Sequence, residues 1–334
     1  MTSRRDRFTD IDYAKGLAII LVVIGHVVAT EYPIDNEWFM FVKSTIYRFH
    51  MPFFMFLFCF IFFHTKPTLE NIENVLTFVK SRAMRLLVPF VLFACIVIFG
   101  KYFAAFFLHV DNPVTNITEA FINAFWNTSE SKVSFIWYIY VLFIFNLVTI
   151  GLLKIFNNKL FPLLLIGYII YFIDVPQIMY LDLICKVYFF FVLGGVLLQG
   201  KNVYYAVITQ TYSRFTLFIF FFLILFFVLY FFNFLVTLLL SLLSIPALHY
   251  VMCLKTVQEK CKVFLIAGKY TMSIYLLNVI VIGVVKAVML KIIPWDGLYF
   301  LIYLPILTFT GLVVPIGIRK YLFTKIPVMD KITA

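Results

Sequence analysis

The chain has 334 residues, of which 64% are hydrophobic and only 13% are charged. A soluble domain averages about half apolar and about a quarter charged residues, so this composition excludes an ordinary soluble protein. The apolar runs are long and continuous and do not alternate with a period of two, which favours membrane-spanning helices over a β-barrel. The net charge is +11, and the positions of the charged residues along the chain show whether it indicates nucleic-acid binding or membrane topology.

The apolar runs predict an all-α polytopic membrane protein with about ten transmembrane helices. No segment between them is long enough for a soluble domain, so residues 1–334 are expected to form a single membrane domain. No small-residue cleavage site follows the basic N-terminus, so we expect no cleavable signal peptide. The predicted spans are 13–31, 46–63, 86–108, 134–153, 160–174, 178–198, 215–232, 234–253, 264–285 and 298–318.

An even number of spans puts both termini on one side of the membrane. If that side is the cytoplasm, twenty of the 27 Lys and Arg residues lie on the inner side. Cytoplasmic segments carry this kind of excess, so both termini are predicted to be cytoplasmic, and no nucleic acid is needed to explain the net charge. The seven other residues lie near the outer face or within spans: Lys43, Arg48, Lys101, Lys132, Lys186, Lys286 and Lys291.

The first span carries a stripe of ionisable residues. Lys15 and His26 are eleven residues apart, which is three helical turns plus about 20°, and Asp12 precedes Lys15 by three residues. Lys15 and His26 are therefore separated by roughly 16 Å along the helix, with Lys15 at the inner face and His26 in the outer half. An ionisable residue inside a span is costly, so we hypothesise that His26 is functional. The alternative is a His that only bonds a facing helix.

Two further groups of basic residues lie near the ends of spans. Arg48 and His50 are at the outer end of the second span, and the alternative role of Arg48 is snorkelling to the interface. Residues 68–81 have the spacing of a short amphipathic helix on the inner surface, which leads to Arg82 and Arg85. These two guanidiniums are three residues apart and suit phosphate oxygens, and the alternative is a positive-inside anchor.

Other chemistries have little support in the sequence. The chain has no Walker loop, GxGxxG, HExxH or GxSxG motif in a workable context, so nucleotide hydrolysis and zinc chemistry are not expected. The Cys residues form no CxxC pair and no metal-ligand spacing, so neither a disulfide framework nor a metal site is predicted. They are Cys59, Cys95, Cys185, Cys253 and Cys261.

Six sequence blocks stand in a fixed order: IDYAKGLAIILVVIGH at 11–26, FHMPFFMF at 49–56, SRAMRLLVPF at 81–90, FIWYIYVLF at 135–143, FFFVLGGVLL at 189–198 and GKYTMSIYLLN at 268–278. In order and spacing they resemble the acyltransferase 3 family of integral membrane O-acyltransferases, over nearly the whole chain. The family pattern of a basic residue, ten residues and then His fits Lys15 to His26. The Arg-x-x-Arg motif of the family fits Arg82 and Arg85.

The resemblance implies transfer of an acyl group, usually acetyl, from cytoplasmic acetyl-CoA to a sugar hydroxyl at the outer face of a bacterial inner membrane. The acceptor would be a surface polysaccharide or a lipid-linked glycan. The family residues map onto His26 as general base, onto Asp12 and Lys15 at the inner end of the same helix, and onto Arg82 and Arg85 as ligands of the coenzyme A phosphates. The acceptor-side candidates are Arg48, His50, Trp137 and Asn278.

The chain departs from the family pattern at two places. Phe58 and Cys59 stand where the second block usually has Ser-Gly, and Asn278 stands where the last block often has His. Asn can form hydrogen bonds but cannot shuttle a proton, so a second-His mechanism through this position is not expected.

Two other classes of function compete with acyl transfer. Proteins with ten spans and few charges also export polysaccharides or flip lipid-linked sugars, and a membrane scaffold that binds a partner is a third hypothesis without specific support. A flippase does not need a base aligned with a phosphate-binding pair on the opposite side of the membrane. The Lys15–His26 stripe and the Arg82–Arg85 pair therefore favour the acyltransferase hypothesis.

Overall fold

The computed structural model describes residues 8–64, 73–230 and 234–333. In those ranges the chain forms helices and turns, with two isolated β-bridges and no strand, which confirms the all-α class. The helices are α1 (Thr9–His26), α2 (Glu37–His64), α3 (Glu73–Arg82), α4 (Val88–Ala104), α5 (Ile117–Phe125), α6 (Trp137–Ile155), α7 (Leu160–Tyr171), α8 (Leu181–Gln199), α9 (Lys201–Thr209), α10 (Thr211–Tyr230), α11 (Phe234–Cys253), α12 (Lys255–Lys260), α13 (Lys262–Lys269), α14 (Thr271–Met289), α15 (Phe300–Tyr321) and α16 (Pro327–Thr333).

Seven helical segments of the described chain are long and apolar enough to cross a membrane, which confirms a multi-pass membrane protein. They contain α2, α4, α6, α8, α11, α14 and α15. The three other predicted spans correspond to α1, α7 and α10, and the count of ten stays a prediction. Helix α1 contains three charged residues, and α7 has 12 residues, or about 18 Å against a hydrocarbon core of about 30 Å. Helix α10 qualifies only together with α9, to which it is bent by 74°.

Several helix boundaries differ from the predicted spans. Helix α2 begins at Glu37, so that Pro52 lies inside the helix and not in its first turn. The predicted span 264–285 is wrong as one helix, because the chain breaks at Tyr270 between α13 and α14. The surface helix predicted over 68–81 lies partly outside the described residues. Its described part, α3, continues directly into α4 through a π-helical turn at Ala83–Leu87.

Helix α1 is the centre of the bundle. We call the end of the bundle that holds Thr9 the inner end and the end that holds His26 the outer end, after the predicted orientation. Helix α1 packs on α2, α11, α13 and α14. A Cβ added at Gly16 would lie 1.8 Å from the carbonyl oxygen of Phe264, and one added at Gly268 would lie 1.9 Å from that of Asp12. Only glycines allow this approach, so the inner half of α1 is fixed against α13.

A buried polar network joins α1, α9 and α11 at the inner end of the bundle. The Nε2 atom of His249 is 2.8 Å from Oδ2 of Asp10, and the hydroxyl of Tyr205 donates to the same oxygen at 2.6 Å. Nδ1 of His249 is 2.8 Å from the hydroxyl of Tyr204, and His249 is fully buried. A neutral imidazole that donates from Nε2 to the carboxylate accepts at Nδ1 from the tyrosine, so both ring nitrogens are satisfied.

Lys43 fixes the chain where α1 ends. Its Nζ atom donates to the carbonyl oxygens of Val28 at 2.6 Å and Ala29 at 3.1 Å. These carbonyls follow the last helical turn and have no partner within α1, so a cation from α2 satisfies them and favours the helix C-terminus. The consequence is that His26 sits at a helix end with a rigidly held backbone.

Candidate functional site

A cavity of about 730 Å³ lies at the outer end of the bundle. Its wall includes the last turn of α1, the outer half of α2, the start of α6 and α8, and the loops that join them. Four of the residues predicted to form the site line this cavity: His26, Arg48, His50 and Trp137. The structure therefore brings the proposed base and three of the four acceptor-side candidates together.

The fourth candidate, Asn278, holds the imidazole of His26. Nδ1 of His26 lies 2.8 Å from Oδ1 of Asn278. The amide nitrogen of Asn278 donates to the carbonyl oxygens of Ile274 at 2.7 Å and Tyr275 at 2.8 Å, so its oxygen must face His26. An amide oxygen only accepts, and it therefore fixes the proton of His26 on Nδ1. The lone pair is left on Nε2, which has no hydrogen bond to any residue that the structure describes.

His50 carries the same kind of constraint. Its Nδ1 atom is 2.7 Å from the carbonyl oxygen of Ile46, one turn back on α2, so Nδ1–H donates and Nε2 keeps a lone pair. The ring packs on Tyr47 with centroids 5.1 Å apart, and the side chain is 5% exposed. The cavity is thus lined by two imidazoles of fixed tautomer.

Helix α14 also positions the part of the cavity wall that lies beside His26. The hydroxyl of Tyr275 donates to the carbonyl oxygen of Phe135 at 2.7 Å and accepts the backbone N–H of Tyr138 at 3.1 Å. These bonds fix the turn before α6, which places Trp137 on the cavity and the ring of Phe135 6.4 Å from that of His26. Tyr275 and Asn278 are one turn apart, so one face of α14 orients both the His26 imidazole and the cavity wall beside it.

The cavity lining is basic. Four lysines and one arginine reach it, against two carboxylates: Lys43, Arg48, Lys101, Lys132 and Lys186, against Asp111 and Asp182. Asp111 is already paired with the buried Lys286 at 2.7 Å. Lys101 and Lys132 form no ion pair with a described residue, and both donate hydrogen bonds to Asn112. Such a lining attracts an anionic ligand.

The inner half of the predicted stripe is an ion pair. Lys15 Nζ lies 2.7 Å from Oδ1 of Asp12, and the two side chains are 23% and 9% exposed. Both sit beside the Gly16–Gly268 contact with α13. The pair does not contact His26, which lies eleven residues further along the helix, or roughly 16 Å away.

The two arginines predicted to bind phosphate are in different environments. The guanidinium of Arg82 lies over the rings of Phe62 at 5.5 Å and Phe78 at 4.9 Å, whereas Arg85 is exposed and belongs to the π-helical turn. A π-helical turn changes the spacing of side chains around the helix. Arg82 is therefore held by aromatic packing, and Arg85 is the freely accessible cation of the pair.

In the described part of the chain, two groups of side chains have the donor atoms for a metal ion. Asp10, His249 and Cys253 form one, and Glu31, His109 and Asp111 form the other, each with ligand atoms within 4.8 Å of one another. In the first group both imidazole nitrogens are used in hydrogen bonds. The second group is largely exposed and is linked by a hydrogen bond between His109 and Glu31. We assign no metal to either.

Sequence reasoning missed several cavity residues. Lys43, Lys101, Lys132 and Tyr275 were not among the predicted site residues, although the three lysines are exceptions to the positive-inside pattern. A cation that remains on the outer side against this bias is a signal for an outer anion site. Tyr275 gives no such signal, because aromatic residues are abundant throughout the chain.

The fold and the site define a multi-pass membrane protein that holds an oriented histidine in a basic outer cavity. The chain belongs to the acyltransferase family: the family model described as Acyltransferase domain, Acyl_transf_3, matches residues 8–320. Nodulation protein NolL of Mesorhizobium japonicum (strain LMG 29417 / CECT 9101 / MAFF 303099) is 31% identical over 161 residues. That alignment covers 47% of this chain and 38% of NolL, so the chain matches well under half of this relative. No solved structure matches the chain.

Proposed function

We propose that the protein transfers an acyl group, in particular acetyl, from cytoplasmic acetyl-CoA to a sugar hydroxyl presented in the outer cavity. The observation that carries this proposal is the hydrogen bond from Nδ1–H of His26 to Asn278, which leaves Nε2 as a base on the cavity. Membership in the acyltransferase family supports the reaction class. The same membership favours transfer over the export or flippase alternative.

The proposed reaction needs two proton transfers, one from the sugar hydroxyl to His26 and one from His26 to the leaving thiolate. A sugar hydroxyl is a weak nucleophile, so His26 Nε2 takes its proton as the oxygen attacks the thioester carbonyl carbon. The C–S bond then breaks, and the leaving thiolate takes the proton from the imidazolium. The products are an ester and a free thiol, and His26 returns to its starting tautomer. Asn278 accepts from Nδ1 throughout and keeps the ring in place.

The donor is proposed to approach from the inner end. Arg85 and Arg82 would bind the phosphates of coenzyme A, because guanidinium groups pair with phosphate oxygens. Lys15, held by Asp12, is the next cation toward the membrane interior on the proposed path. The stripe along α1 then spans the distance between the phosphates and the thioester, since its ends are roughly 16 Å apart.

The acceptor is proposed to be a surface polysaccharide or a lipid-linked glycan at the outer face of a bacterial inner membrane. Arg48, His50 and Trp137 line the cavity in which it would bind. The proposed orientation requires both termini to be cytoplasmic. A reporter fused after Ala334 is expected to be active only as a cytoplasmic fusion, and a periplasmic signal would contradict this topology.

The proposal is tested in a deletion strain that carries either the wild-type gene or His26→Ala. O-Acetyl groups on the surface glycans are measured by mass spectrometry, with protein levels checked by immunoblot. The wild-type gene is expected to restore the modification, and His26→Ala is expected to restore none at equal protein level. A glycan profile that does not change between deletion and complementation would refute the proposed function.

A further inference from the structure

A second cavity, of about 210 Å³, lies beside the outer cavity, and His26 lines both. It is a cleft between α4 and α14, and its lining is apolar along most of its length. The lining residues on these helices include Ile96, Val97 and Gly100 of α4, and Ile280, Gly283 and Val284 of α14. An engineered apolar cavity of about 150 Å³ accommodates benzene, so this cleft has room for a segment of hydrocarbon chain.

The cleft opens sideways toward the lipid. Ile96 and Val284 are 43% and 55% exposed, although both lie in helices long and apolar enough to cross a membrane. A Cβ added at Gly100 or Gly283 would meet nothing within 4 Å, so these glycines leave a gap in the wall of the bundle. An exposed apolar gap at membrane depth faces acyl chains and not water.

The outer end of the cleft meets a pair of cations. Lys101 lines both the cleft and the outer cavity, and so does His26. Lys101 donates to the carbonyl oxygens of Asn112 at 3.4 Å and Lys132 at 3.1 Å, while Lys132 donates to the Asn112 side chain at 2.5 Å. Among the described residues neither ammonium forms an ion pair; the nearby carboxylate of Asp111, which lines both cavities, is paired with Lys286. Two backbone carbonyls hold Lys101 and the Asn112 side chain holds Lys132, so two positive charges lie together where the cleft ends.

We propose that the cleft and the Lys101–Lys132 pair form one site for a lipid phosphate, and that the acceptor sugar is attached to this lipid. The hydrocarbon chain lies between α4 and α14, the phosphate rests on the two lysines, and the sugar extends into the outer cavity beside His26. This proposal rests on the proposed function for the role of the sugar. It specifies that the acceptor enters laterally from the outer leaflet and not from solution.

The site is tested by photolabelling the full-length protein in nanodiscs. The probe is a polyprenyl phosphate with a diazirine in its chain, and the labelled peptides are identified by mass spectrometry. Labelling is expected to concentrate in residues 96–104 and 279–287. Excess unlabelled polyprenyl phosphate is expected to suppress this labelling. Polyprenol and inorganic phosphate are not expected to suppress it.

Two variants sharpen this test. Gly283→Phe fills the cleft and is expected to reduce labelling at least about tenfold, whereas Gly151→Phe is a matched control, since Gly151 is also exposed and has open space but lines neither cavity. Lys101→Gln combined with Lys132→Gln is expected to abolish the preference for polyprenyl phosphate over polyprenol. Equal labelling of all lipid-facing helices in the wild type would overturn the proposal, whether or not the variants fold.

Competition separates the remaining possibilities. Suppression by polyprenol as strong as that by polyprenyl phosphate would mean that the lysines do not select the head group and would overturn the site. Suppression by inorganic phosphate alone would indicate a soluble anion site and would overturn the lipid assignment. Concentrated labelling in a protein that transfers no acyl group would refute the proposed function and leave this lipid site standing.

Discussion

Each end of the bundle holds a histidine, and the hydrogen bonding of the two imidazoles differs. At the inner end, His249 is fully buried and both of its ring nitrogens are bonded, to Asp10 and to Tyr204. At the outer end, His26 lines two cavities, and its one hydrogen bond to a described side chain joins Nδ1 to Asn278. A histidine with both nitrogens satisfied stabilises the fold, whereas one with a free Nε2 can take a proton from a ligand.

The packing around the two histidines also differs. At the inner end, the Gly16–Gly268 contact and hydrogen bonds among α1, α9 and α11 hold the helices together. The outer end is open, basic and rigid, since Lys43 and Asn278 fix the end of α1 without filling the cavity. The contrast indicates that the inner end of α1 is fixed by close packing, whereas its outer end carries the proposed base.

Among variants that keep His26 itself, the largest effect that would sharpen this contrast is expected from Asn278→Ala. Without the amide oxygen, the His26 ring loses its fixed tautomer and orientation, and misplacement of a catalytic group costs about a hundredfold in rate. The rate of acyl transfer is measured at equal amounts of folded protein. Asn146→Ala is the matched control, because Asn146 is a buried amide that also donates to the carbonyl one turn back. Equal rates in the two variants would show that Asn278 does not act through His26.

A smaller effect of a different kind is expected from His249→Ala. The change leaves Asp10 and Tyr204 without their buried partner, which costs about 1–3 kcal/mol in the free energy of unfolding. Thermal unfolding in detergent measures this loss, and the transfer rate per folded molecule is expected to stay near wild type. His109→Ala serves as the control, since His109 is half exposed and changes at such sites stay within about 0.5 kcal/mol. A His249→Ala protein of normal stability but no activity would reverse the roles of the two ends.

The smallest effect is expected at the inner surface, from Arg85→Ala. One lost contact to a phosphate weakens the use of the acyl-CoA donor about tenfold, and stability should not change because Arg85 is exposed. The KM for acyl-CoA measures this effect, with the exposed Lys80→Ala as control. Arg82→Ala is expected to reduce stability as well, since it also removes the stacking on Phe62 and Phe78. A KM for Arg85→Ala no higher than that for Lys80→Ala would leave the arginines as a topology anchor.

The sequence was sufficient to predict features that depend on one helix at a time. Hydropathy predicted an all-α membrane protein, and the eleven-residue spacing placed Lys15 and His26 at different depths of one helix, as in the structure. It failed at the ends and breaks of helices. The nine residues of α2 before residue 46 include polar groups, and the break at Tyr270 joins two apolar helices that hydropathy cannot separate.

Contacts between distant helices could not be predicted in this way. Asn278 is 252 residues from His26, and periodicity says which residues share a face but not which faces meet. Asn278 was predicted as an acceptor-side residue, and in the structure its side chain forms a hydrogen bond with the imidazole of His26. The contacts of Lys101 and Lys132 with Asn112 also depend on the tertiary fold, because Asn112 precedes α5 and Lys132 follows it.

The central claim is that His26, and not His249, acts as a base. It is tested most directly by comparing His26→Gln with His249→Gln in one acyl-transfer assay, with the rate expressed per folded molecule. Glutamine keeps hydrogen bonding but is not a base, so His26→Gln is expected to fold normally and to lose about 10²–10⁴-fold in rate. His249→Gln is expected to be less stable and to remain active. A His26→Gln protein with the wild-type rate would contradict the account.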